Sequence, residues 1–315
     1  MSLVIASQLD ADFNKGLVQH PIGPVVIDVA EDEPWTAAAE ADLLLVRPTP
    51  AWRQPPVARP SLWPGRLKWV YSASAGVDFY PEWLLDAPLV TCGRGVASDE
   101  IADYVIAAIY AHAKNLEAVT VRSRADWKQA PLGRVSGTTV GIVGLGAIGQ
   151  AVARRVLALG AQVVALRRSG AQAGISGVEL VTDLPALITR ADHIVIAVPA
   201  TPQTRHLFDD RLLARVKPGA HIINVARGSV LDQDALIRAL DRVEGPGFAT
   251  LDVTDPEPLP EEHPLYLHPQ VRLTPHISSN YTLMRQRLLE KVHDDISRFV
   301  RGEAPSDVVD PARGY

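Results

Sequence analysis

From Thr138 to Pro275 the chain alternates between short, uninterrupted apolar runs and longer stretches with apolar residues at helical spacing. The runs TVGIV, QVVAL, HIVIAV, HIINVA, GFATLDV and VRLTP read as strands. Between them, AIGQAVARRVLAL, DLPALITRA, DDRLLARV and DQDALIRALDRV read as helices. A strand that is apolar at nearly every position is buried on both faces, and intervening helices join such strands in parallel. The pattern therefore predicts a parallel sheet covered on both sides, and it places Asp232 to cap the helix that follows it.

Before this region the same alternation is less regular, with candidate strands at VVIDV, DLLLV, LKWVYS and APLVT. This predicts a second, smaller α/β domain. Residues 98–119, SDEIADYVIAAIYAHAKNLEAV, carry apolar residues at helical spacing behind Ser98, which suits an N-cap, and read as one long interdomain helix. A last helix, YTLMRQRLLEKVHDDISRFV, follows the final strand and is placed to cross back and complete the first domain. Two proline-rich segments, 48–64 and 255–264, read as loops. The first either packs on the surface or shapes a substrate mouth.

Composition narrows the class. A chain of 315 residues is about twice the ~150 expected of one domain. With 47% hydrophobic and 21% charged residues it has the balance of a soluble globular protein, and no apolar run approaches the ~18 residues of a membrane span. The opening MSLVIASQLDADF lacks a basic region leading into a long apolar stretch, so a cytoplasmic location is expected. Cys92 stands alone, which excludes an intrachain disulfide and argues against a structural metal. A net charge of −5 gives no general attraction to nucleic acid or anionic membrane, although a local basic patch can still bind phosphate.

The strand–helix junction at Gly144-Leu145-Gly146-Ala147-Ile148-Gly149 has the spacing of a dinucleotide-binding turn. The first glycine allows the turn, the second lets a pyrophosphate approach the backbone, and the third lets helix and strand pack closely. The helix N-terminus adds amide donors. About 20 residues on, where a carboxylate would bind the adenosine ribose of NAD, the chain reads Arg167-Arg168-Ser169. Two guanidiniums and a hydroxyl suit a 2′-phosphate, so NADP(H) is expected, with NAD(H) possible if the arginines are only solvated.

Three further segments end predicted strands: Asn224-Val-Ala226-Arg227-Gly228, Leu251-Asp252-Val-Thr-Asp255-Pro-Glu257-Pro, and Thr274-Pro275-His276-Ile277. Together with Ser74-Ala75-Gly76-Val-Asp78 and Val198-Pro199-Ala-Thr201-Pro-Gln-Thr204, this ordered set resembles the D-isomer-specific 2-hydroxyacid dehydrogenases over most of the chain. The resemblance implies a Rossmann-type doubly wound parallel sheet, residues 99–277, inserted into a smaller flavodoxin-like α/β substrate domain, residues 1–98 and 278–315. It assigns Arg227 to the substrate carboxylate and keto oxygen, and His276 to proton transfer. Glu257 becomes the imidazole's partner, with Asp255 its competitor two residues away. Cofactor contacts fall on residues 144–149, Arg167, Arg168, Ser169, Val198, Pro199, Thr204 and Ala226, with Asp252 on the nicotinamide carboxamide. Backbone amides around Ala75 and Gly76 join Arg227 and His276 as substrate contacts, in an interdomain cleft. Asp103 and Ser278 depart from the common pattern, where glutamate and a glycine or alanine are usual.

The reaction so implied is NADPH-dependent reduction of a small 2-keto acid to the D-2-hydroxy acid by a homodimer. Glyoxylate or hydroxypyruvate is the first choice, because the arginine pair and DVTDPEPLP resemble that subgroup. Larger branched or aromatic keto acids are the alternative. Phosphoglycerate oxidation is disfavoured by the expected absence of a regulatory domain, and formate oxidation by Glu257. A dinucleotide-sensing corepressor of the same fold remains as a non-enzymatic reading.

Overall fold

The computed structural model describes residues 2–168 and 174–315. The chain divides into two compact units, residues 1–96 with 281–315, and 97–280. The sequence pattern draws these borders at 98/99 and 277/278.

The first unit holds a five-stranded parallel sheet of β1 (Val4–Ser7), β2 (Val25–Asp28), β3 (Leu43–Val46), β4 (Trp69–Ser72) and β5 (Val90–Cys92), in the order β2-β1-β3-β4-β5. This is the flavodoxin-like order. Side chains alternate between two cores, which explains why the strands read as continuously apolar. Ile5, Leu43, Leu45, Trp69 and Tyr71 enter one core, and Ala6, Leu44, Val46 and Val70 the other. The C-terminal helix Tyr281–Val300 lays Leu288, Val292 and Ile296, at i, i+4 and i+8, against Phe13 and Leu17 of helix Ala11–Val18. It thereby completes this unit.

The proline-rich segment 48–64 is not wholly a loop. Pro50–Arg53 forms a helical turn, because Pro50 sits at its first position, where proline lacks only a donor the helix does not use. Trp52 and Trp63 from this segment are buried beside Trp83. Packing is what the segment visibly does.

The second unit holds β6 (Thr139–Val143), β7 (Gln162–Leu166), β8 (Val178–Leu180), β9 (His193–Ile196), β10 (His221–Asn224), β11 (Phe248–Leu251) and β12 (Val271–Leu273). All pair in parallel, in the order β12-β11-β10-β9-β6-β7-β8. The strand order reverses between β6 and β9, the switch point outside which doubly wound sheets bind ligands. Helix Ser98–Lys114 belongs to this unit and stops at Asn115, whose left-handed backbone (φ 37°) ends it before the expected residue 119. Ser98 is the first helical residue and makes no capping bond; Ala97 occupies the cap position. Asp103 and Asp99 on this helix both bind Arg155 of helix Ala147–Ala158, at 2.7 and 2.9 Å. No helix among the described residues is long and apolar enough to cross a membrane.

At the opposite edge of this sheet, His193, His221 and Phe248 begin neighbouring strands in direct register, and His112 packs over them with its ring 4.5 Å from that of His221. Burial, reinforced by the charge His112 would carry, pushes the His193 imidazole down to about 4. The unfolded chain binds that proton near the ordinary value of 6.5, so acidification between these limits favours unfolding. Stability is therefore expected to fall as pH drops from 6.5 toward 4, by on the order of 3 kcal/mol from His193 alone. Thermal melts across that range check it: His193→Phe should flatten the slope, and an unchanged slope would remove the histidine from the explanation.

Candidate active site

The four segments singled out by motif converge on the C-terminal edge of the second unit's sheet. β6 pairs with β7 through Val143 and Leu166, and the Gly144 N–H donates to the Leu166 carbonyl at 2.9 Å. Arg167 follows Leu166 directly, so the register sets Arg167 and the exposed Arg168 beside the glycine turn. Ser169 lies outside the described residues.

Gly144 has φ +102°, and a Cβ there would stand 2.5 Å from the Ala197 carbonyl oxygen. Only glycine fits that approach. A Cβ on Gly146, by contrast, would meet no atom within 4 Å. This glycine is exposed, caps helix Ala147–Ala158 without a side chain, and keeps open the space in front of the first-turn N–H groups. That is the shape and polarity a pyrophosphate requires. Leu145 is buried, so only its backbone is available to a ligand. Across the switch point, Val198 lies against Gly144. The turn after β9 is tied by Thr204, which donates to the Pro199 carbonyl (2.7 Å) and accepts from the Thr201 N–H (2.8 Å).

β10 ends in Asn224, a wholly buried polar residue whose amide brackets the next turn. It accepts from the Ala226 N–H and donates to the Arg227 carbonyl, both at 3.0 Å. The Arg227 guanidinium, half-buried, donates to the Ala226 carbonyl at 2.9 Å. Gly228 lets this turn reach the segment after β11: a Cβ on it would overlap the Thr254 carbonyl carbon at 2.0 Å.

That segment carries Glu257. One oxygen accepts from the Thr254 N–H at 3.1 Å, and the other meets His276 Nδ1 at 3.0 Å. Asp255 is turned elsewhere, its backbone bonded to Gln233 and its carboxylate 3.7 Å from Arg205. Burial opposes the charge on Glu257, but the His276 hydrogen bond and charge, the Thr254 N–H and the nearby Arg227 together hold its carboxyl below the usual range. An ionised carboxylate only accepts, so Nδ1 carries the hydrogen and Nε2 is left as the proton-exchanging atom. The arrangement thus places a permanent cation and a carboxylate-oriented imidazole at the same sheet edge as the glycine turn.

Asp252 is drawn into the loop that carries His276. Its side chain is 1% exposed and accepts from Thr274 Oγ1 (2.7 Å) and from the Ile277 and Ser278 N–H groups (both 2.9 Å). Motif spacing brings Asp252 to the site but does not reveal that its partners lie on the His276 loop. Asn224 is likewise quoted by the motif without a task; a buried asparagine closing an apolar strand is the signal that marks it. In the first unit, Ala75 and Gly76 lie just beyond β4, in a turn fixed by Ser74 Oγ on the Gly76 carbonyl (2.9 Å) and by Gly93 N–H on the Ser74 carbonyl (3.1 Å).

Comparison with known proteins gives the family. Residues 106–278 match the model of the D-isomer specific 2-hydroxyacid dehydrogenase NAD-binding domain. The chain is 30% identical to a glyoxylate/hydroxypyruvate reductase A of Serratia proteamaculans over 80% of its own length and 82% of the relative's. Among solved structures, a D-isomer specific 2-hydroxyacid dehydrogenase from Xanthobacter autotrophicus in complex with NADPH superposes with TM-score 0.82 at 28% identity, covering 100% of both chains. An NADPH-dependent glyoxylate/hydroxypyruvate reductase from Sinorhizobium meliloti in complex with NADP superposes with TM-score 0.80 at 27% identity, again over 100% of both. The chain belongs to the D-isomer specific 2-hydroxyacid dehydrogenase family.

Proposed function

We propose that this enzyme reduces a small 2-keto acid, glyoxylate or hydroxypyruvate first, to the D-2-hydroxy acid with NADPH as reductant. The Glu257–His276 pair beside Arg227 carries this reading: it supplies one oriented proton donor and one permanent cation. NADPH, when bound, supplies the hydride that reaches the substrate's C2. Residues 144–149 would hold the pyrophosphate, with Gly146 leaving the necessary space. Arg167 and Arg168 would take the 2′-phosphate, for which a guanidinium fork is suited and a carboxylate is not. Val198, Pro199, Thr204 and Ala226 would line the remaining dinucleotide path.

Arg227 binds the substrate carboxylate and keto oxygen and stabilises negative charge as it grows on that oxygen. His276 Nε2 delivers the proton to the same oxygen, while Glu257 keeps the ring oriented. The Serratia relative and the Sinorhizobium structure, named for glyoxylate and hydroxypyruvate reduction, support the choice of substrate. A homodimer is part of the same reading, supported by the exposed apolar side chains Leu116, Val121, Trp127 and Leu132 that follow helix Ser98–Lys114. The direct test is NADPH oxidation with glyoxylate, hydroxypyruvate, pyruvate and a branched 2-keto acid. Turnover confined to the branched acid would replace the substrate class, and tight NADPH binding without any turnover would favour a sensor.

A further inference from the structure

His276 stands in the left-handed region, φ 54°, where a residue with a side chain is strained. Such a turn persists only where its surroundings hold it. Here the His276 N–H donates to the Asp252 and Thr274 carbonyls at 2.8 and 3.0 Å. The next two N–H groups, of Ile277 and Ser278, close on the two Asp252 carboxylate oxygens, forming a backbone nest around a buried anion.

The anion is itself tied down from outside the loop. Asp252 Oδ1 also meets Thr274 Oγ1 at 2.7 Å, and that hydroxyl lies 2.6 Å from the phenol oxygen of Tyr104 on helix Ser98–Lys114. The directions of these bonds follow from chemistry. A carboxylate only accepts, so Thr274 spends its one hydrogen on Asp252, and Tyr104 must donate to Thr274. Burial, with the Asp252 charge adding to it, raises the Tyr104 phenol above its ordinary value, so it keeps the hydrogen this chain needs.

We propose that Tyr104 and Thr274 are positioning residues for His276, acting through the Asp252 carboxylate on the strained turn that carries the imidazole. The inference rests on His276 being the proton-transfer residue. The imidazole is 44% exposed and Glu257 is its hydrogen-bond partner, so its placement depends on the backbone beneath it. A donor chain anchored on a helix fixes that backbone, and small displacements of a proton donor cost rate steeply.

Thr274→Val keeps the shape and removes the hydroxyl, and is expected to lower kcat about tenfold. Thr274→Ser keeps the hydroxyl and should stay within about twofold of wild type; Tyr104→Phe, one bond further away, should lose about threefold. The dissociation constant for NADPH, read by tryptophan fluorescence, should change by less than about twofold in all three. The decisive arm repeats Thr274→Val in a His276→Ala background, where no further loss of kcat is expected because the group being positioned is gone. Full activity in Thr274→Val, an equal loss in both backgrounds, or failure of Thr274→Ser to restore activity would overturn the proposal. The parent His276→Ala separates the two levels. If it is impaired while Thr274→Val is not, only the positioning role fails; wild-type turnover in His276→Ala sinks the acid–base reading and the positioning role with it.

Discussion

His276→Ala is expected to lower kcat for 2-keto acid reduction by roughly 10²–10⁴-fold, the contribution usual for a positioned proton donor. The expectation follows from geometry before it follows from kinship. Glu257 occupies Nδ1 at 3.0 Å and cannot itself donate, which leaves Nε2 as the ring atom able to give a proton away. Removing the ring leaves the Arg227 turn untouched, because that turn is held by Asn224 rather than by the imidazole. NADPH binding should therefore survive, and the loss should appear in kcat rather than in the dissociation constant. A stopped-flow comparison of single-turnover rates with wild type measures it, and a loss below about threefold would exclude His276 as the donor.

Arg167→Asp is expected to move the ratio of kcat/KM with NADPH to that with NADH by about 100-fold toward NADH. β7 delivers residue 167 next to the Gly144 turn, so in the proposed reading its charge would meet the adenosine end of a dinucleotide laid across that turn. Losing charge-assisted bonds to a 2′-phosphate costs about 1.5–3 kcal/mol, and the introduced carboxylate repels the phosphate while accepting from a ribose diol. The substitution is at a half-buried strand end and should leave the fold intact. An unmoved ratio would mean that Arg167 does not read the cofactor.

The parts of the fold that could be read from the chain are those where burial acts on every residue. β9 and β10 show four consecutive buried positions each, and their apolar runs announce them. β8 is an edge strand, half-buried at Val178 and exposed at Glu179 and Leu180, so no periodic signal distinguishes it from a loop. β1 is as short as β9 and β10, but its apolar run fades into the small residues Ala6 and Ser7, which only the partner strands on either side bury. Helix Ser98–Lys114 ends early because Asn115 tolerates a left-handed backbone, a local stop that apolar spacing does not register.

At the site, the segments that end the strands were legible in the chain, and the hydrogen bonds between their side chains were not. Motif spacing selects Glu257 over Asp255, and only the structure shows why: Gln233 holds the Asp255 backbone away. Spacing brings Asp252 to the site, but it does not show the Thr274, Ile277 and Ser278 donors that its oxygens accept from. Tyr104 sits on a helix some 170 residues before Thr274, and no local pattern connects them. Such tertiary hydrogen bonds carry no periodicity, so they are invisible until the chain is folded.

NADPH oxidation by the purified protein, followed by absorbance, with glyoxylate and hydroxypyruvate against pyruvate and a branched 2-keto acid, each repeated with NADH, is the most direct measurement. The expected result is turnover of glyoxylate or hydroxypyruvate at higher kcat/KM than the other acids, and faster with NADPH than with NADH. NADPH that binds tightly and is never oxidised by any of the four acids would contradict it.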